Sequence, residues 1–235
     1  MVLSNTYYYG NHPILVAVDN IIFGFDTVEE RLKVLLFKRL VEPYAGEWSL
    51  IGSFVQEGQN IDDAASSVLE ELTGITGLYL EQLKTYGNAD RDTGERVISI
   101  AYYSLLKLEE DNAQLRDQHD SFWFDISEVP NLVLDHGQMV KDAIRKLKIK
   151  ARRSPIGFEL LPEKFTLRQF KSLYEQIYQA EIDDRNFRKK ILATGLLDKL
   201  EEKDKTTSKK GAFLYTFNKE KYDEYLSRGF DIQFH

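Results

Sequence analysis

The chain contains no cysteine, which excludes disulfides and thiolate metal sites and fits a reducing, cytoplasmic setting. It has no apolar run near the length needed to cross a bilayer. The N-terminal MVLSNTYYYGNHP lacks the basic-then-apolar order of a secretion signal, so no membrane association is expected. Histidine is sparse: His12, His119, His136 and His235 show no metal-ligand spacing, and the Asp135-His136 pair reads as structural. Internal repeats and low-complexity tracts are also missing. What is present is an ordinary globular composition, with 235 residues, 43% of them hydrophobic and 29% charged. That is enough for one large domain or two modest ones.

Charge separates two regions. The net charge is −7, but residues 1–150 carry 14 Lys+Arg against 24 Asp+Glu, while residues 151–235 carry 17 against 14. Six of the nine residues from Arg145 to Arg153 are basic, and the following SPIGFELLPEKF, with two prolines and a glycine, reads as a connector. The expected division is a first domain over 1–150, a linker over 151–160 and a second domain over 161–235.

The second region has its own local logic. FTLRQFKSLYEQIYQ places Phe165, Leu167, Phe170, Leu173, Tyr174 and Ile177 on a helical stripe, with Thr166 as the N-cap. After a turn at 180–182, Asp183 or Asp184 caps a second helix, Phe187 and Ile191 face inward, and Gly195 ends it. LLDKLEEK and AFLYTF then read as two strands around the loop DKTTSKKG, which carries Lys205, Lys209 and Lys210, with Lys203 just before it. Helix, turn, helix and a hairpin with a basic tip make a winged helix-turn-helix. Its second helix exposes Arg185, Asn186, Arg188, Lys189 and Lys190, donors suited to phosphates and base edges in a major groove. Lys205, Lys209 and Lys210 suit the neighbouring backbone. The plainer reading is that RNFRKK is a solvated helix face and the helical hairpin an assembly element.

In the first region, GSFVQEGQNIDDAASSVLEELTGI at 52–75 resembles a Nudix box, whose working pattern is G-x5-E-x7-R-E-U-x-E-E-x-G-U. Anchored on Leu69, Glu71 and Gly74-Ile75, the pattern's Gly falls on Ser53, its first Glu on Gln59 and its Arg on Ser67. Its helix glutamates fall on Val68, Glu71 and Leu72. These three positions share a helix face. A hard cation such as Mg2+ needs several oxygen ligands there, and the face offers one carboxylate. Slipping the register to use Glu70 fails, because the apolar stripe through Ile61, Ala65, Val68 and Leu72 turns Glu70 away. Taken alone, the segment reads as an amphipathic core helix.

The resemblance runs on from about 11 to 148. LKVLLFKRLVEPYAGEWSLIGSF is similar to the Nudix entry segment, with Arg39, Pro43, Gly46, Trp48 and Leu50 in place and Ile51 and Ser53 departing from it. TYGNADRDTGERVISIAYYSLL, FWFDISEVP and LVLDHGQMVKDAIRKL are similar to the ADP-ribose pyrophosphatase-like branch. Leu160-Leu161-Pro162, Phe165-Thr166-Leu167, Tyr174-Glu175 and Arg185 to Leu192 resemble the C-terminal domain of Nudix-related, NrtR-type transcriptional regulators. The resemblance implies an α/β Nudix fold, a mixed sheet between helices, followed by a winged helix. It implies a non-catalytic sensor without a metal cofactor, acting as a homodimer on operator DNA. Arg39, Trp48, Arg91, Asp92 and Arg96 match positions lining the Nudix pocket. Arg91 and Arg96 are expected to hold phosphates, and Trp48 either to stack on the ligand or to pack in the core. The implied effector is ADP-ribose (or a nucleotide sugar) or a sugar such as arabinose. The alternative is a Nudix hydrolase, an ADP-ribose or nucleotide-sugar pyrophosphatase, with a C-terminal assembly domain.

Overall fold

A computed structural model of the chain describes residues 12–108, 120–153, 156, 160–206 and 210–228. His119, His235 and Lys209 lie outside them. The longest strand, β1 (Leu15–Asp26), is apolar along most of its length because both of its faces are covered. Ile21, Phe23 and Phe25 point into one core, and Val18 and Ile22 into another. β2 (Arg31–Lys38) divides in the same way, with Leu32, Val34 and Leu36 on the first side and Leu35 on the second. A period of two along a strand thus builds a sheet buried on both faces.

The sheet is mixed, as expected. Its order is β3-β2-β1-β6-β5, with β4 (Ile51–Phe54) also on β1 and β7 (Ser121–Asp125) also on β2. β3 is Trp48–Ser49, β5 Glu81–Tyr86 and β6 Val97–Lys107. β1 runs parallel to β6 from Leu15 opposite Val97 to Phe25 opposite Lys107, and antiparallel to β2 and β4. One face carries α1 (Ile61–Thr73), which buries Ala64, Ala65, Val68 and Leu69. Asp62 and Asp63 sit in its first turn, where the helix dipole favours acids. Gly74 ends it at φ 72, a left-handed conformation natural to glycine. The other face carries α2 (His136–Arg153), which buries Met139, Val140, Ala143 and Leu147. Its last turn covers 151–153, the first three residues of the expected linker.

The second region forms the winged helix. Its helices are α3 (Leu167–Tyr178) and α4 (Asp184–Ala193). Its strands are β8 (Phe165–Thr166), β9 (Leu197–Asp204) and β10 (Ala212–Phe217), joined in the order β8-β10-β9. A further helix, α5 (Lys219–Arg228), follows β10. Thr166 and Gln169 form a reciprocal capping box on α3, and Asp183 caps α4 through the Asn186 amide at 2.7 Å. α3 packs on both α2 and β2, so Phe170, Leu173, Tyr174 and Ile177 join the same apolar core as the sheet. At the β1–β2 turn, Glu30 pairs with Arg168 at 3.1 Å, and its carbonyl accepts from Ser172 at 3.4 Å. No helix among the described residues is long and apolar enough to cross a membrane.

Candidate functional site

Buried charge marks the first site. Asp19 interrupts the apolar run of β1, opposite Gly52 of β4, and is only 6% exposed. The two strands approach so closely that a Cβ on Gly52 would collide with the Asp19 carboxylate and lie 2.6 Å from the Val18 carbonyl. Only glycine fits there. Ser99 on β6 donates to Asp19 Oδ2 at 2.5 Å. The Arg91 guanidinium, 2% exposed, lies 3.7 Å from the same oxygen and grips Asp135 with two bonds, Nε at 3.0 Å and Nη2 at 2.7 Å. Paired and hydrogen-bonded in this way, the buried charges offset each other's desolvation.

His136, the first residue of α2, completes the floor. Its Nδ1 accepts the Leu50 amide at 3.1 Å, so neutral His136 carries its proton on Nε2, 3.5 Å from Asp19 Oδ1. Ser49 Oγ also lies 3.2 Å from Nδ1. Ser49, His136 and Asp19 together invite comparison with a nucleophilic triad, but the bonding argues otherwise. The single Nδ1 lone pair is occupied by the Leu50 amide, and Ser49 donates instead to the Leu50 carbonyl at 2.9 Å. His136 has no free acceptor with which to activate Ser49.

Above this floor lies a cavity of about 690 Å³, a size suited to a small-molecule ligand. Of the residues expected to bind the effector, it brings together Arg39, Arg91 and Asp92. Asp92 closes its own turn by accepting the Gly94 amide at 2.8 Å. The other two expected residues are not in its lining. Trp48 packs edge-on against Phe122 and Phe124, with ring centroids 5.4 and 4.8 Å away. Arg96 donates to the carbonyls of Gly87, Asn88 and Val97 at 2.9 to 3.1 Å, pinning the loop instead of facing the cavity. Asp19, Ser99, Asp135 and His136 were not anticipated as site residues. The one signal in the sequence was an acid inside a doubly buried strand, where an unpaired charge is rare.

The degenerate Nudix positions explain the cavity's chemistry. Ser53 and Leu72 line its wall, while Val68 is buried in the core behind α1. Glu71 and Ser67 are exposed and outside the lining, and Gln59 Oε1 is engaged by the Gln56 amide at 3.1 Å. A divalent ion does not fit this donor set. Among the described residues no three acidic or histidine side chains gather as ligands, and the helix face supplies one carboxylate.

A second surface is built by α4 and the hairpin. Phe187 and Ile191 anchor α4 inward, and Phe170 meets Phe187 edge-on at 5.7 Å. Glu175 fixes the preceding turn by accepting the Ile182 amide at 2.8 Å while pairing with Lys171. Arg185, Arg188 and Lys189 therefore stand exposed, with Asn186 and Lys190 half-buried beside them. Arg188 is held to Asp184 at 2.7 Å. On the hairpin, Lys205 and Lys210 are exposed near the tip, and Lys199 and Lys203 stack over Phe213 at 3.6 and 4.4 Å. Glu202 and Lys164 pair at 2.7 Å, so the strands themselves are of mixed charge and the free basic character sits at the tip.

Comparison with known proteins agrees with this architecture. Residues 14–143 match the NUDIX domain family, and residues 157–217 match the NrtR DNA-binding winged helix domain. The chain is 30% identical over 213 residues to the ADPR responsive transcriptional repressor NtrR of Acinetobacter baylyi, spanning 89% of this chain and 84% of that protein. The crystal structure of Shewanella oneidensis NrtR complexed with a 27mer DNA superposes with a TM-score of 0.74 at 27% identity, over 88% of this chain and 95% of that one. The NUDIX domain of the same Shewanella protein, crystallised with ADP ribose, gives a TM-score of 0.51 at 26% identity over 62% of this chain and 99% of that one. With a Nudix fold, an NrtR winged helix and likeness to such a repressor over most of both chains, the chain belongs to the NrtR family of Nudix-related DNA-binding transcriptional regulators.

Proposed function

We propose that the chain is an ADP-ribose-responsive repressor. Its Nudix domain would bind the effector in the cavity of Arg39, Arg91 and Asp92, and its winged helix would bind operator DNA through α4, Lys205 and Lys210. One observation carries the reading: a formed cavity whose metal-binding helix face has become Val68, Glu71 and Leu72 shares a chain with an NrtR winged helix. Losing the metal site suits a sensor, because an effector that is hydrolysed on binding cannot report its own concentration. The Acinetobacter relative and the ADP-ribose-bound Shewanella domain favour ADP-ribose, whereas neither speaks for a sugar such as arabinose.

In this reading residues 1–150 are the effector domain, 151–160 the connector and 161–235 the DNA-binding domain. Two copies act as a cytoplasmic homodimer without a metal cofactor, setting two α4 helices into successive major grooves about one helical turn apart. ADP-ribose shifts the DNA-binding equilibrium only by its differential affinity for the two arrangements.

The test starts with selection of duplexes from a randomised pool by the full-length protein. The selected duplex is then titrated with and without ADP-ribose, and the samples containing Mg2+ are assayed for AMP and ribose 5-phosphate. The expected result is a pseudo-palindromic duplex whose affinity changes with ADP-ribose, and intact effector at the end. Failure to select DNA, or no response to ADP-ribose, refutes the proposal. Turnover at an ordinary Nudix rate would instead favour a hydrolase with a C-terminal assembly domain.

A further inference from the structure

We infer that Arg39, and not Arg91, meets the anionic linkage of the effector, and that Arg91 is a positioning residue for the cavity floor. The inference rests on the ADP-ribose reading above. Both arginines line the cavity, but their charges are spent differently. Arg91 is buried, with two of its donors on Asp135 and Asp19 close by. Two carboxylates already surround it, so a third anion arriving there would meet net negative charge.

Arg39 is half-buried and has no ion-pair partner among the described residues. Its Nε donates to the Pro43 carbonyl at 2.9 Å, which leaves both terminal nitrogens for a ligand. That is the fork geometry that matches two phosphate oxygens. The residue is also held in advance. Its amide donates to the Glu47 carbonyl at 3.0 Å, and its own carbonyl accepts from Gly46 at 2.7 Å. With its backbone held at two points and its guanidinium at a third, Arg39 loses less freedom on binding than an untethered arginine would. Among the described residues, the other charged ones in the lining, Asp19, Glu42, Asp92 and Glu95, are acidic. Arg39 is therefore the lining cation whose charge is not cancelled, while the carboxylates can accept from ribose hydroxyls. One anion-binding fork among hydroxyl acceptors is the polarity expected for a diphosphate joined to ribose on each side.

The experiment is calorimetric titration of the full-length chain with ADP-ribose at low and high salt, for the wild type, Arg39→Gln and Arg39→Lys. Arg39→Gln is expected to weaken binding by about tenfold or more and to lose most of the salt dependence. Arg39→Lys, which keeps the charge but not the fork, is expected to fall between the two and to retain the salt dependence. Binding by Arg39→Gln within about twofold of the wild type overturns the assignment. So does weakened binding that keeps the wild-type salt dependence, because a purely structural role would produce it. No ADP-ribose binding by the wild type overturns the effector reading itself, and the inference with it.

Discussion

The cavity floor and the recognition helix treat charge in opposite ways. Arg91 and Asp19 are enclosed, and together with the half-buried Asp135 they saturate one another. On α4, Arg185 and Lys189 stand in solvent, and among the described residues Arg188 pairs with its helical neighbour Asp184 alone. Saturated buried groups fix a shape, whereas exposed cations are available to a polyanion. The contrast separates residues that build the sensor from residues that touch its targets. Substitutions in the two regions should therefore differ in kind as well as in size.

The largest effect is expected from Arg91→Ala. It leaves Asp19 and Asp135 without their shared cation, and the loss should be about 3 kcal/mol of folding stability in urea unfolding. A loss below about 0.5 kcal/mol, typical of a surface site, would erase the distinction between the two regions. Next is Arg188→Ala, which should weaken operator binding by roughly 1–3 kcal/mol while leaving stability nearly unchanged. Unaltered affinity in anisotropy titrations would remove this part of α4 from the groove. Replacing Lys205 and Lys210 by alanine should weaken binding to all duplexes alike and lower the salt slope by about one for each lysine. A change confined to one sequence would contradict a backbone-only role for the tip.

The smallest effect concerns pH. Burial pushes the Asp142 carboxyl up, but bonds from Lys84, Tyr86 and Gln138 outweigh it and hold the group below its ordinary value of 3.8. Because the folded state binds this proton less readily than the unfolded chain, the stabilisation is complete above the ordinary carboxylate range. It drains away as pH falls through the folded-state value. The wild type should therefore lose melting temperature more steeply than Asp142→Asn between about pH 5 and 3. Parallel curves would mean that the cluster around Asp142 adds nothing in solution.

Much of the second region was legible in the sequence because its signals are local. Thr166, Asp183 and the stripe from Phe165 to Ile177 each act within a few residues, and helix caps and period reveal them directly. The missing charges of the Nudix box were equally plain, since one helix face holds all three positions. The cavity floor was hidden because β1, the 87–96 loop, β6 and the start of α2 contribute its members, and only the sheet topology brings them together. Trp48 and Arg96 illustrate the opposite difficulty. Family likeness aligned them with a pocket, but their side chains are committed to Phe122 and Phe124 and to backbone carbonyls. β8 and α5 carry weak local patterns and owe their form to tertiary partners, β8 to β10 and α5 in part to the Tyr225 hydroxyl on the Thr194 carbonyl at 2.9 Å.

The docking of α3 on β2 and α2 has a consequence for engineering. A chimera that joined this winged helix to an unrelated Nudix scaffold by its connector alone would leave the seat of α3 unfilled. The new host would need an apolar strand face where β2 lies, and an acidic turn residue to receive Arg168 as Glu30 does. Portability of the reader head is thus governed by this seam, and adjusting tether length would not restore it.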